Sequence, residues 1–300
     1  MNIKVVQSGS NREFIILKRN VILIDPDFNN LQKYINILSF LKKNNINVPQ
    51  IKKIYNNFII LQNLGSKSLL NIYLKLKENK KNLNKIKSKY ELTLKEISKL
   101  YKIDIKKKYK ELKKIGIRAF NLKVLKWEWQ YFVENYAINY KGLNNFKIHK
   151  LYLISEEIIN TCYNIIKTYP TLIHRDLQST NIIFYKNKPY LIDTQGIMVS
   201  NFLYDLASLL EDPYIKLPYR FKLELLNYFF QINNHFLIDY SRYYKYFKIQ
   251  RLVQVLGAFS YLSIHKKKSF FIKQLNSIFN FLDNLKQEMD SWGYLWEDLE

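Results

Sequence analysis

The sequence predicts an α+β fold in two lobes, a small β-rich lobe at the N-terminus followed by a large helical one. Three observations predict it. Before Leu64, short apolar runs bounded by turn residues alternate with a single helical period. Beyond Leu64 helical spacing dominates, broken by one hairpin-like stretch. The chain has 300 residues, of which 48% are hydrophobic, enough to bury a large core.

The elements follow in order. Asn2–Gln7 reads as a short strand, and Ser8–Arg12 ("SGSNR") as a turn. Glu13–Lys18 and Val21–Ile24 flank Arg19-Asn20 and read as a hairpin. Leu31, Ile35, Leu38 and Leu41 then recur at helical spacing, with Asn29 or Asn30 as the N-cap. Ile51–Tyr55 and Phe58–Gln62 complete a five-stranded sheet with one helix. The expected lobes are therefore residues 1–64 and 65–300, with a hairpin-bearing segment at 172–196 inside the second.

Charge excludes less than it suggests. The net charge is +23, which alone would suit nucleic acid or a membrane surface. Close to half of it lies in residues 75–114, with sixteen lysines, no arginine and five acids. Leu, Ile and Tyr stand between those lysines at helical spacing, so the stretch reads as amphipathic helices with solvated basic faces. Lysine without arginine is also a poor reader of bases, so no nucleic-acid partner is expected. Seven glycines and six prolines leave no flexible linker. No apolar run is long enough to span a bilayer, and the start lacks a secretory apolar core. Cys162, the single cysteine, cannot close an internal disulfide and has no metal-ligand spacing around it. These features favour the cytoplasm, with no membrane partner.

The stretch "LIHRDLQSTNIIFYKNKPYLID", Leu172–Asp193, stands apart. Ile182–Tyr185 is β-prone, "KNKP" is a turn, and Tyr190–Ile192 is β-prone again. Antiparallel pairing brings Asn181 and Asp193 together at the outer ends. An amide oxygen beside a carboxylate suits Mg²⁺, which takes phosphate oxygens and water for the rest of its shell. Asp176, five residues before Asn181, is placed to orient a hydroxyl and accept its proton. His174-Arg175-Asp176 followed by Asn181 matches the catalytic-loop spacing of kinases, with the metal-binding Asp on a later strand. Between Pro170 and Tyr214 five acids face three bases, the reverse of the balance elsewhere.

"HRDLQSTNIIF", "YLIDTQG" and "YDLASLLEDPY" resemble the aminoglycoside phosphotransferase and choline kinase superfamily. Within it the chain is most similar to sugar kinases acting on the anomeric hydroxyl of N-acetylmuramate and N-acetylglucosamine. "INVPQIKKIYNNFIILQNLGSKSLLNIY", "LKWEWQYFVENYA" and "QRLVQVLGAFSYLSIHKKKSFF" carry that likeness, which is weak through 75–115. The resemblance implies a bilobal protein-kinase-like fold and transfer of phosphoryl from ATP, with Mg²⁺, to a small-molecule acceptor, a sugar first. It implies Asp176 as catalytic base and Asn181 and Asp193 as metal ligands. It implies a hinge at Leu61–Leu64, where the backbone at Gln62, Asn63 and Leu64 would meet the adenine. It implies that Ser8, Gly9, Ser10, Asn11 and Arg12 lie over the phosphates.

The chain also departs from the pattern. A protein kinase pairs a third-strand Lys with a helix Glu. Here the third strand reads "VILID" and the following helix has no acid, so Arg12 or Lys18 would have to supply the charge. Arg175, Gln178 and Gln195 on the loop edges, and Glu128 between Trp127 and Trp129, are candidates for acceptor contacts. His174 and Asp205 are expected to brace the loop. His149, His235 and His265 receive no role. The alternatives to a sugar kinase are an aminoglycoside or choline/ethanolamine-type kinase, or a nucleotide-binding pseudokinase scaffold.

Overall fold

Five short strands form one antiparallel sheet: β1 (Lys4–Gln7), β2 (Glu13–Ile16), β3 (Asn20–Ile24), β4 (Ile51–Ile54) and β5 (Phe58–Gln62), in the order β1-β2-β3-β5-β4. The structure, a computed structural model, describes residues 4–7, 12–78, 82–234, 239–267, 271, 272 and 275. The expected turn at Ser8–Asn11 and His235 lie outside the described residues. The β2–β3 turn sits one residue earlier than expected. Leu17 N–H donates to the Asn20 carbonyl at 2.8 Å, so Lys18 and Arg19 form the bend and Asn20 already belongs to β3. That register pairs Glu13 with Ile24 and sets Arg12 opposite Asp25.

The described helices are α1 (Phe28–Lys43), α2 (Leu69–Leu76), α3 (Leu83–Tyr101), α4 (Ile105–Ile115), α5 (Leu122–Phe132), α6 (Asn145–Thr168), α7 (Phe202–Leu210), α8 (Tyr219–Ile232) and α9 (Tyr240–Ile264). Helix α1 buries Leu31, Ile35, Leu38 and Leu41 as its spacing predicts, and adds Tyr34, Ile37 and Phe40. Its N-cap is Asp27 rather than Asn29 or Asn30. The Asp27 side chain accepts from the N–H groups of both asparagines, and the Asn30 amide donates to it at 2.9 Å. A carboxylate is an acceptor only and is well suited to orphan N–H donors, so the helix is capped two or three residues earlier.

The chain divides into two compact units. The first comprises Met1–Arg118, Thr171–Met198 and Pro218–Phe236. Its core joins Leu23, Ile59 and Leu61 of the sheet with the buried face of α1. A second cluster in the same unit joins Tyr90, Leu94, Ile97 and Leu100 of α3 with Phe229 of α8. Through α3 and α4 no described lysine is buried, so the basic stretch is a solvated face. Some of its lysines meet acids, as Lys87 meets Glu224 at 2.6 Å and Lys108 meets Glu111 at 3.1 Å. Such exposed pairs add at most about 1 kcal/mol each.

The second unit comprises Ala119–Pro170, Val199–Leu217 and Leu237–Glu300. Here α5 and α9 approach very closely at Gly257. A Cβ on Gly257 would stand 3.1 Å from both Cα and N of Phe132. Helix α5 runs into a π-helical turn at Val133–Ile138, and Leu125, Trp129 and Phe132 are fully buried beneath it.

Candidate active site

The stretch that carried the motif folds as a tight hairpin, β7 and β8, following the short strand β6 (Thr171–Ile173). Strand β7 is Ile182–Tyr185 and β8 is Lys188–Leu191, so the turn holds only Lys186 and Asn187 rather than the four residues expected. Both turn residues have positive φ, +48° and +62°, the left-handed pair that matches the twist of flanking strands. Ile192 N–H donates to the Asn181 carbonyl at 3.0 Å, which makes Asn181 and Ile192 partners and sets Asp193 one residue beyond.

Two further residues hold sparsely populated backbone conformations. Arg175 has φ +74° and Asp193 has φ +60°, both without being glycine. Such conformations cost about 1–3 kcal/mol and persist where the surroundings over-determine them. Those surroundings are visible. His174, fully buried, donates its Nε2–H to the Ile192 carbonyl at 2.9 Å, which ties the loop to the end of the hairpin. The turn Thr194–Gly196 lies close over the same loop, and a Cβ on Gly196 would sit 3.5 Å from the His174 carbonyl oxygen.

Both edges of the hairpin are clamped within the first unit. On one edge Leu191 N–H donates to the Asn47 carbonyl at 2.8 Å, and the Asn47 amide donates to the Pro189 carbonyl at 3.1 Å. Asn47 is itself held by Glu96 of α3, through its backbone N–H at 2.7 Å and its amide at 2.9 Å. On the other edge Phe184 N–H donates to the Lys67 carbonyl at 2.8 Å. Sequence reasoning missed Asn47. Its signal is a lone polar residue between buried Ile46 and Val48, but its partners lie far along the chain.

The decisive side chain is Asn181, which is 8% exposed. Its Nδ2 donates to the Asp176 carbonyl at 2.9 Å and to Asp176 Oδ2 at 3.2 Å. Both partners are pure acceptors, so the amide nitrogen must face Asp176. That orientation leaves Asn181 Oδ1 with no hydrogen-bond donor among the described residues. Gln178 Nε2 also donates to Asp176 Oδ2, at 3.3 Å. Gln195 Nε2 donates to Asp193 Oδ1. Asp176, Asn181 and Asp193 are therefore each oriented by a neighbouring amide or backbone group.

Helix α1 flanks this turn. Tyr34 is 4% exposed, and burial, then the Asp193 carboxylate, raise its phenol well above the ordinary range. Arg12, the one described residue of the expected phosphate loop, stands 5.2 Å over the Tyr34 ring and meets Asp25 at 2.5 Å. A cleft of about 570 Å³ opens beside them, lined by Arg12, Asp25, Asn30, Lys33 and Gln195 among others.

At the expected hinge, Gln62 N–H is occupied by the Gln50 carbonyl at 2.8 Å and Asn63 N–H by the Arg19 carbonyl at 3.2 Å. The Asn63 side chain braces the bend, donating to Leu17 O at 2.7 Å and accepting from Gly65 N–H at 2.7 Å. Leu64 is buried, and its N–H has no hydrogen-bond partner among the described residues.

The remaining candidates lie in the second unit. Glu128 is not an exposed acceptor contact. It is 0% exposed and accepts from the Tyr204 hydroxyl at 3.1 Å and from Gln250 Nε2 at 3.0 Å. Trp129 Nε1 donates to Gln250 Oε1 at 3.0 Å, so one buried network joins α5, α7 and α9. Trp127 is 46% exposed and stacks on Tyr131. Asp205 is fully buried in the first turn of α7, whose N-cap is Asn201.

No group of three or more His, Cys, Asp or Glu among the described residues could hold a metal. The donor set at the hairpin, one carboxylate and one amide oxygen, is instead of the kind that shares a hard cation with a phosphate ligand. No helix of the described residues is long and apolar enough to cross a membrane.

The architecture is an α+β, protein-kinase-like fold, with a small β-sheet region at the N-terminus and a larger helical part after it. The GDP complex of wild-type aminoglycoside 2'-phosphotransferase-IIIa shares it with a TM-score of 0.64 and 17% identity, over 93% of this chain and 92% of that one. The gentamicin complex of APH(2")-IIa gives 0.63 and 14%, over 92% and 90%. Choline kinase from Cryptosporidium parvum gives 0.61 and 13%, over 96% and 90%. No protein-family model and no curated protein sequence matches the chain.

Proposed function

We propose that the chain is an ATP-dependent, Mg²⁺-requiring small-molecule kinase of the aminoglycoside phosphotransferase and choline kinase type, with an amino sugar as its acceptor. The observation that carries this reading is the orientation of Asn181. Its amide donors hold Asp176, and its side-chain oxygen, which meets no donor among the described residues, belongs to a residue one ladder step from Asp193. Asn181 Oδ1 and Asp193 would hold the metal, whose part is to neutralise charge on the phosphates. Asp176, fixed by Asn181 and Gln178, orients the acceptor hydroxyl for in-line attack and takes its proton. The Leu64 N–H is the hinge donor open to an adenine. The structures that share the fold include phosphotransferases acting on several acceptors, which supports the reaction class.

The sugar follows from the resemblance of Leu125–Ala137 and the late helix to the matching stretches of anomeric sugar kinases. An anomeric hydroxyl is more acidic than an ordinary alcohol, so a carboxylate suffices as base. A cationic acceptor such as choline or an aminoglycoside is the second reading, favoured by the fold neighbours. The test is turnover of MgATP with N-acetylglucosamine, N-acetylmuramate, hexoses, aminoglycosides, choline and ethanolamine, read as ADP release and by phosphorus NMR of the product. Asp176→Asn should bind MgATP as wild type yet turn over about 10²–10⁴-fold more slowly. Binding of MgATP with no turnover of any acceptor would make the chain a pseudokinase scaffold.

A further inference from the structure

A protein kinase binds phosphate with a third-strand lysine paired to a helix acid, but here β3 holds no lysine and is followed by Asp25, and α1 holds Lys33 and no acid. We propose that Arg12 and Lys33 together form the phosphate-binding cation pair of this chain, with Asp25 and Tyr34 holding the Arg12 guanidinium in place. This rests on the kinase reading and names which residues take the nucleotide's phosphates.

Four observations carry it. The β2–β3 register sets Arg12 opposite Asp25, and its Nε lies 2.5 Å from Asp25 Oδ2. That contact uses the inner edge of the guanidinium, and its two Nη nitrogens take no hydrogen bond with any described residue. A planar guanidinium gripped at Nε and laid on an aromatic ring is aimed rather than mobile. The Tyr34 beneath it is the side chain whose phenol feels Asp193, so Arg12 and the candidate metal ligand neighbour one ring.

Lys33 supplies the second charge. Its stem packs over Gly116, the left-handed cap of α4, within 3.9 Å of where a Cβ would stand. Its head lines the same cleft as Arg12 and Gln195. Burial, then the like charge of Arg118, disfavour the ammonium there, yet Lys33 makes no ion pair with a described acid. The two acids of the cleft are already occupied. Asp25 accepts from Arg12 and from Asp27 N–H, and Asp27 caps α1 through Asn29 and Asn30. The cleft's two cations and two acids balance in formal charge, but Asp25 and Asp27 are turned to Arg12, to backbone N–H and to the first turn of α1, which leaves the Arg12 Nη groups and the Lys33 ammonium as its charged donors to a phosphate chain.

Lys18, the other cation the sequence allowed, is excluded by placement. It is exposed in the turn beyond the far end of β2, about 20 Å of strand away from Arg12.

Binding of MgATP and of adenosine, measured by calorimetry on wild type and variants, tests the pair. Lys33→Gln and Arg12→Lys should each weaken MgATP about 10- to 100-fold, the size of one charge-assisted contact, and leave adenosine unchanged. Lys18→Gln should change neither. Because Arg12 is buried, the half-exposed Lys33 carries the test if Arg12→Lys fails to fold. MgATP affinity of Lys33→Gln equal to wild type would overturn the inference while leaving the kinase reading intact. Loss on Lys18→Gln would also overturn it. A wild type that binds neither MgATP nor adenosine would overturn both.

Discussion

Replacing Glu128 separates a core carboxylate from an acceptor contact. In Glu128→Ala the Tyr204 hydroxyl and Gln250 Nε2 lose the acceptor they reach at 3.1 and 3.0 Å. Neither can turn to solvent, since Glu128, Tyr204 and Gln250 are all 0% exposed. A buried donor deprived of its partner costs about 1–3 kcal/mol, and because Gln250 Nε2 keeps the Leu125 carbonyl at 3.3 Å, the two losses together cost about 2–4 kcal/mol. At roughly 2–4 °C per kcal/mol for a chain of this size, Tm should fall by on the order of 10 °C. Glu128→Gln keeps the size and one acceptor oxygen, and should fall by a third of that or less. Thermal melts by circular dichroism give both values. Tyr204→Phe removes one of the stranded donors, so adding it to Glu128→Ala should cost less than the two single losses together, a coupling of about 1–3 kcal/mol. An Ala variant melting with wild type, but needing far more acceptor for half-maximal rate, would refute the core role and return Glu128 to the acceptor pocket.

Two further predictions read the second unit. Gly257→Ala gains about 1 kcal/mol of helix propensity, but its Cβ meets backbone atoms of Phe132 at 3.1 Å that cannot rotate away, so a net loss of about 1–2 kcal/mol is expected and a raised Tm would count against the close approach. Cys162 is buried, and burial, then Glu128, raise its thiol, so a thiol reagent should modify the unfolded chain at once and the native chain hardly at all near neutral pH, where the raised value keeps the thiolate scarce.

How far the sequence could be read depended on how local each contact is. The buried face of α1 and the hairpin of β7 and β8 rest on spacing within a few residues, and both were legible. The exact turn chemistry was less so, and its consequences were not small. A bend on Arg19 and Asn20 would have set Arg12 against Asp27. The observed bend on Lys18 and Arg19 sets it against Asp25 and frees Asp27 to cap α1. Register propagates along a strand, so a one-residue shift at the turn decides which acid grips the arginine. The Asn47 clamp was out of reach for a different reason, because Pro189 lies 142 residues away and no local pattern encodes such a pairing.

Glu128 is the instructive miss, because its signal was local and present. Leu125, Glu128, Trp129 and Phe132 stand at the helical positions i, i+3, i+4 and i+7, the stripe a helix turns toward its core. Three of the four are apolar, and the fourth occupies the same stripe. Chemistry drew attention to an acid between two tryptophans, where sugar recognition is easy to imagine. Geometry decides otherwise, since Trp127 falls off the stripe and is exposed while Glu128 and Trp129 fall on it and are buried. An acid in a core stripe demands buried donors from the elements packed against it. Tyr204 on α7 and Gln250 on α9 are those donors, both fully buried.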